Sequence, residues 1–267
     1  HGTLTVEQAV MNSCNPYMIH LALELGNAKF SEYQSLFGFG QTTGIDLPGE
    51  TTGIVYGDKM TTIDAACNSF GQTINVNMMQ MMASYCSIIN GGMLYQPHVV
   101  KRIESANGEV VKENKATLIR QTVTMSTSKL LRRYLKNTVE SGTAKKVAVT
   151  GYSVAGKTGT AQKSPRSENK WLISFIGHAP ADNPKFAIYV IIDEPDGTTG
   201  TSGNSADVLQ LSHDILEKLL PYMSVYKDAL DEPVDTSNSE DELTVGDVPE
   251  GSISNTTETN QTMPSVD

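Results

Sequence analysis

Gly151-Tyr152-Ser153-Val154-Ala155-Gly156-Lys157-Thr158-Gly159-Thr160-Ala161-Gln162 decides the fold. Alternating and β-branched residues lead into Lys157-Thr158-Gly159-Thr160, and small residues follow. That pattern predicts a strand over 152–161 with one face open for a ligand. Two further β-rich runs follow at short intervals, over 171–178 and 186–193. A helical pattern then covers 206–220. Three strands in close order with short connections predict an antiparallel sheet, with the last helix across one face.

Upstream, the chain reads as helices and turns. Thr5-Val6-Glu7-Gln8 is a capping-box pattern that opens a first helix. Asn15-Pro16 reads as an N-cap followed by proline, opening a second helix over 17–25 that stops at Gly26. Ser13-Cys14-Asn15 therefore falls at a corner between two helices. Further helices are predicted over 29–36, 63–69, 76–90 (capped by Asn75, stopped by Gly91-Gly92) and 127–140. Residues 41–57 are turn-rich, and 99–112 reads as a hairpin turning at Asn107-Gly108. Met78, Met79, Met81 and Met82 are expected to fill gaps in the core, and Cys67 and Cys86 to be small buried apolar groups.

Charge is placed unevenly. The chain has 20 basic and 30 acidic residues, and its net charge is −10. All eleven charged residues after Lys227 are acidic, so residues 1–227 are close to neutral. The segment 228–267 is rich in Ser, Thr, Asn, Pro and acid and has no aromatic residue, a composition predicted to be a disordered acidic linker. Its last residues, Met263-Pro264-Ser265-Val266-Asp267, are similar to the opening of a PASTA repeat, a match that chance explains better. No apolar run is long enough to span a membrane. The three cysteines and five histidines have no metal-ligand spacing, no cofactor motif is present, and nothing supports a nucleic-acid partner.

Lys157-Thr158-Gly159 and Ser13-Cys14-Asn15 match two of the three signatures of serine acyl-transfer enzymes of the penicillin-binding group. Longer stretches carry the resemblance: Thr3 through Pro16, Phe37-Gly38-Phe39-Gly40, Thr43-Gly44-Ile45-Asp46-Leu47-Pro48-Gly49-Glu50 and Ser69-Phe70-Gly71-Gln72. Asn90-Gly91-Gly92, Ser141-Gly142-Thr143-Ala144, Ala155 through Gln162, and Phe175 through Ala181 extend it. Over residues 1–222 the chain resembles the C-terminal part of a class B penicillin-binding protein transpeptidase domain, with Cys14 resembling the sporulation and elongation branch. The resemblance implies an α+β fold of the penicillin-binding and serine β-lactamase kind, an antiparallel sheet with helices on both sides. The domain would occupy 1–227 and be truncated at its N-terminal side. The third signature, Ser-x-x-Lys, lies upstream of Ser-x-Asn in the family. Here it occurs only downstream, at Ser126–Lys129, Ser167–Lys170 and Ser224–Lys227, none of which is expected to hold the nucleophile.

The implied activity is peptidoglycan D,D-transpeptidation through a serine acyl-enzyme, without metal or organic cofactor. Ser13 would pass a proton to the leaving amine and Asn15 would hold the substrate amide. Lys157 would keep the cleft positive, Thr158 and Thr160 would bind the substrate carboxylate, and Gly159 would admit the substrate backbone. The Thr160 N–H would be half of the oxyanion hole. The implied partners are stem peptides ending in D-Ala-D-Ala, β-lactam inhibitors, a glycosyltransferase and other cell-wall proteins. The implied location is the extracytoplasmic face of the membrane, through an anchor outside these residues. A D,D-carboxypeptidase, a β-lactamase, a β-lactam sensor and a non-catalytic scaffold are the alternatives.

Overall fold

A computed structural model describes residues 1–195 and 205–228. The expected disordered linker, and with it the PASTA-like ending, lies outside the described residues from 229 onward. The chain begins with three helices, α1 (Val6–Met11), α2 (Asn15–Leu25) and α3 (Asn27–Leu36). After the turn-rich stretch come α4 (Thr62–Asn68), α5 (Met78–Ile89) and the short strands β1 (Met93–Tyr95), β2 (Arg102–Glu104), β3 (Val110–Glu113) and β4 (Leu118–Gln121). Then follow α6 (Met125–Ser141), β5 (Ala155–Gln162), β6 (Trp171–Ala179), β7 (Phe186–Asp193) and α7 (Ala206–Tyr222). The architecture is α+β.

The sheet that organises the domain has the order β5-β6-β7, antiparallel throughout. Its two faces separate by strand alternation. Phe186, Ile188, Val190 and Ile192 of β7 pack with Ile173 and Phe175 against Val208, Leu209, Leu216 and Leu220 of α7. Ala187 and Tyr189 point the other way, with Ile176, toward Tyr85 and Ile89 of α5 and Leu135 of α6. Each face is thus covered by helices, and β5 is left as one edge of this sheet.

Local rules explain most boundaries. Thr5 and Gln8 form the expected capping box on α1. Gly26 (φ 80°) ends α2 and begins α3, a backbone angle only glycine adopts without strain. Asn107-Gly108 turns the β2–β3 hairpin as expected. Two capping assignments are corrected. Cys14, not Asn15, occupies the N-cap of α2, which puts Asn15 and Pro16 in its first turn. The cap of α5 is Asn77, not Asn75: its side chain accepts from the Gln80 N–H at 2.8 Å, and the Gln80 side chain accepts from the Asn77 N–H at 3.1 Å. Asn75 instead forms an isolated bridge with Ile54, exchanging backbone bonds of 2.7 and 3.0 Å.

Burial also departs from expectation. Cys14 is the buried cysteine, whereas Cys67 and Cys86 are only half-buried. Met81 packs against the α5–sheet core, but Met78, in the first turn of α5, is exposed. The acidic residues of the 43–50 motif are structural anchors. Glu50 accepts from the Thr43 N–H and hydroxyl at 2.8 and 2.7 Å. Asp46 accepts from the N–H groups of Val99 and Val100, which hold its carboxyl below the usual range. Asn77 joins this region to α5, donating to the Thr51 carbonyl at 2.6 Å. Asn77→Ala removes both the cap and that tether and is expected to cost about 1–2 kcal/mol. Urea unfolding checks this, with a lowered midpoint at unchanged slope as the expected result.

Candidate active site

The corner between α1 and α2 is tightly held. The Cys14 N–H donates to the Ala9 carbonyl at 2.9 Å and the Ser13 N–H to the Val10 carbonyl at 3.2 Å. These bonds fold the chain back so that Ser13 adopts φ 50°, a left-handed conformation uncommon for a serine. Such a conformation persists where surroundings over-determine it, and it is common at functional sites. Here α6 does much of the holding. Asn137 and Arg133 both donate to the Glu7 carboxylate on α1. Beyond the end of α6, the Thr143 N–H donates to the Met11 carbonyl at 3.1 Å.

β5 brings Lys157 to this corner. The Lys157 ammonium donates to the Ser13 hydroxyl and, at 3.2 Å, to the Thr158 carbonyl. The first bond spans 144 positions of sequence. Burial of the lysine lowers its pKa from 10.5 to about 8, because removing water penalises the charged form. The site therefore presents a hydroxyl bonded to an ammonium that is charged at neutral pH and loses its proton more easily than a free lysine. A hydroxyl so placed can relay a proton, since it both donates and accepts.

The other sequence-predicted residues lie close along the chain but are not all joined. Asn15 is exposed in the first turn of α2, and its side chain has no hydrogen-bond partner among the described residues. The Thr158 hydroxyl lies 3.2 Å from that of Thr143. Thr160 is exposed on β5. A methyl group on Gly159 would meet the Ser174 hydroxyl of β6 at 2.5 Å, so space is tight on that side of the strand. Sequence reading assigned no role to Thr143, Glu7 or Asn137. Thr143 stood inside a quoted motif, but contact between that motif and β5 depends on where α6 ends in space.

The three downstream Ser-x-x-Lys sequences are elsewhere. Ser126 bonds to Thr124 at the start of α6, at 2.9 Å. Ser167 is in a 3-10 turn between β5 and β6, and Lys170 pairs with Glu168 at 2.9 Å. Ser224 follows α7, where its carbonyl accepts from Lys185 at 3.0 Å. None of these residues bonds to Ser13 or Lys157 among the described residues.

A helix-sheet-helix domain with these two motifs converging defines a class, and residues 1–217 match the penicillin binding protein transpeptidase domain family. The chain belongs to that family. It is 39% identical over 230 residues to stage V sporulation protein D of Bacillus subtilis, covering 84% of this chain and 35% of that protein. It is 30% identical over 229 residues to the peptidoglycan D,D-transpeptidase MrdA of Acinetobacter baumannii, covering 77% of this chain and 33% of that one. Its structure is similar to penicillin binding protein 3 from Mycobacterium tuberculosis complexed with ampicillin, with a TM-score of 0.75 and 29% identity over 86% of this chain and 53% of that chain. The chain spans about a third of the length of these curated relatives.

Proposed function

We propose that this domain is part of a peptidoglycan D,D-transpeptidase that works through a serine acyl-enzyme. The observation that carries the reading is the bond between Lys157 and Ser13, made between the Lys-Thr-Gly and Ser-x-Asn motifs of a transpeptidase family member. In this reading the nucleophilic serine and its lysine lie outside residues 1–267. A serine hydroxyl needs an adjacent base to attack a carbonyl, and among the described residues no other serine hydrogen-bonds to Ser13 or Lys157. The D-Ala-D-Ala end of a stem peptide acylates that serine, and the bond to the terminal D-alanine breaks. Ser13 delivers the proton that the departing amine takes up. An amine of a second stem then attacks the acyl carbonyl and frees the serine, leaving a cross-link.

Lys157 supplies a positive field that favours the substrate carboxylate and lowers the pKa of a neighbouring amine. Thr158 and Thr160 donate to that carboxylate, and Asn15, unpaired within the described residues, holds the substrate amide. The Thr160 N–H serves as one oxyanion donor. A transpeptidase domain over 1–227 followed by an acidic linker over 228–267, anchored so that it faces the wall, fits this work. So do a glycosyltransferase and other wall-building partners.

The test is covalent labelling of the full-length protein with a fluorescent penicillin, followed by peptide mapping. The expected label is on a serine outside residues 1–267. A label on Ser126, Ser167 or Ser224 would overturn the nucleophile assignment. No label at all would favour a non-catalytic scaffold. Turnover of a D-Ala-D-Ala peptide with water but not with an added amine would point to a carboxypeptidase, and rapid penicillin hydrolysis to a β-lactamase.

A further inference from the structure

The Gly142-Thr143 turn touches both halves of the site. Its backbone meets the corner that carries Ser13, through the 3.1 Å bond from the Thr143 N–H to the Met11 carbonyl. Its side chain meets the strand that carries Lys157, through the 3.2 Å contact between the Thr143 and Thr158 hydroxyls. The turn has little freedom to move. Ala144 beside it is fully buried in the core under α7. A methyl group on Gly142 would lie 2.7 Å from the Met11 carbonyl oxygen and 2.8 Å from that of Thr138. Only a glycine lets the chain pass this close.

We propose that Thr143 is a positioning residue that locks the Ser13 corner to the Lys157 strand and sets the Thr158 hydroxyl for a carboxylate ligand. This rests on the reading of the site given above. The two hydroxyls have two protons, and the bond between them uses one. When Thr143 donates, the Thr158 oxygen is occupied as an acceptor and its own proton is left for an anion. A hydroxyl that accepts one bond is a better donor of the next, so the pair is more effective than Thr158 alone. Without Thr143, the Thr158 hydroxyl rotates freely and loses that polarisation.

The ligand class is a peptide or peptide mimic ending in a carboxylate. The experiment is penicillin labelling of the full-length protein at a series of concentrations, for wild type, Thr143→Val, Thr143→Ser and Gly142→Ala. Thr143→Val keeps the shape and the backbone bond but removes the hydroxyl. It is expected to raise the half-saturating penicillin concentration about 5–10-fold, the effect of one hydrogen bond to the ligand site, with the limiting rate little changed. Thr143→Ser is expected to stay within about 2-fold of wild type. Gly142→Ala is expected to lower the limiting rate at least about 10-fold by pushing the Ser13 corner away. Three outcomes would overturn the proposal: Thr143→Val indistinguishable from wild type, Thr143→Ser as impaired as Thr143→Val, or Gly142→Ala labelled at the wild-type limiting rate. Failure of wild type itself to label is a separate result, and it would remove the reading of the site on which this one stands.

Discussion

Lys157→Met should cut penicillin labelling of the full-length protein by at least about 100-fold, the usual cost of removing a preorganised electrostatic group, without raising its melting temperature. Burial holds the Lys157 pKa near 8 rather than 10.5, so the folded protein resists the charge that the site uses. The unfolded chain binds more protons than the folded one between about pH 8 and 10.5. Stability therefore rises with pH across that window, and it is lost as pH falls through 8. At pH 7 the lysine is charged in both states, and the penalty is fully present. A shift of this size corresponds to about 3 kcal/mol.

Methionine has similar length and no charge, so it removes that penalty. It also gives up the bonds to the Ser13 hydroxyl and the Thr158 carbonyl, each worth about 1.5–3 kcal/mol because the donor is charged. At the low end of that range the lost bonds cancel the penalty removed, so the melting temperature is expected to stay level or to fall. Labelling at the wild-type rate would sink the electrostatic role of Lys157. A higher melting temperature at pH 7 would mean that its desolvation outweighs its hydrogen bonds.

The strand around Lys157 was readable because its alternation, glycine and threonines are local signals, and β5, β6 and β7 fall within three residues of their expected limits. The capping box at Thr5 and Gln8 was readable for the same reason. The assignment went wrong where two similar residues competed. Asn75 and Asn77 can both cap, and only Gln80 three residues after Asn77 decides between them. At α2 the buried Cys14 takes the cap position without a side-chain bond. That outcome follows from the Ser13 corner and not from capping preference.

The pairing of the short strands β1 and β4 was not readable. β1 and β4 are three and four residues long, and Met93 pairs with Gln121. Strands that short have too few residues to display alternation. The candidate site divides in the same way. Ser13, Asn15 and Lys157 announce themselves by motif and by resemblance. Thr143 does not, because its importance lies in the distance between its hydroxyl and that of Thr158, which no local pattern encodes.

Acidification from pH 7.5 to pH 5 is expected to cost the domain about 2 kcal/mol through one residue, His178. This side chain is fully buried on β6. Its Nε2 lies 3.1 Å from the Ala181 carbonyl, which can only accept, so Nε2 carries the proton. Its Nδ1 is then an acceptor, and the Tyr85 hydroxyl donates to it at 2.8 Å. Tyr85 belongs to α5, so the neutral imidazole ties that helix to the sheet. Burial, with a smaller contribution from Arg132, lowers the His178 pKa from 6.5 to about 4, against opposing effects of the Ala181 bond and Asp182. Protonation would put a second donor opposite the Tyr85 hydroxyl, forcing that hydroxyl to turn and give up its own donation.

The unfolded chain binds this proton near pH 6.5 and the folded one only near pH 4. The stabilising contribution is therefore complete above 6.5 and is lost progressively as pH falls toward 4. Urea unfolding at the two pH values, for wild type and His178→Gln, isolates the term. The variant is less stable at pH 7.5, because glutamine does not reproduce both bonds in that cavity. Its loss on acidification should nonetheless be about 2 kcal/mol smaller than that of wild type. Tyr85→Phe tests the other end of the pair: it leaves Nδ1 buried without a donor and should cost about 1–3 kcal/mol at pH 7.5. An identical loss on acidification in wild type and His178→Gln would show that His178 is not the group that titrates, and the acid sensitivity would then belong to the carboxylates instead.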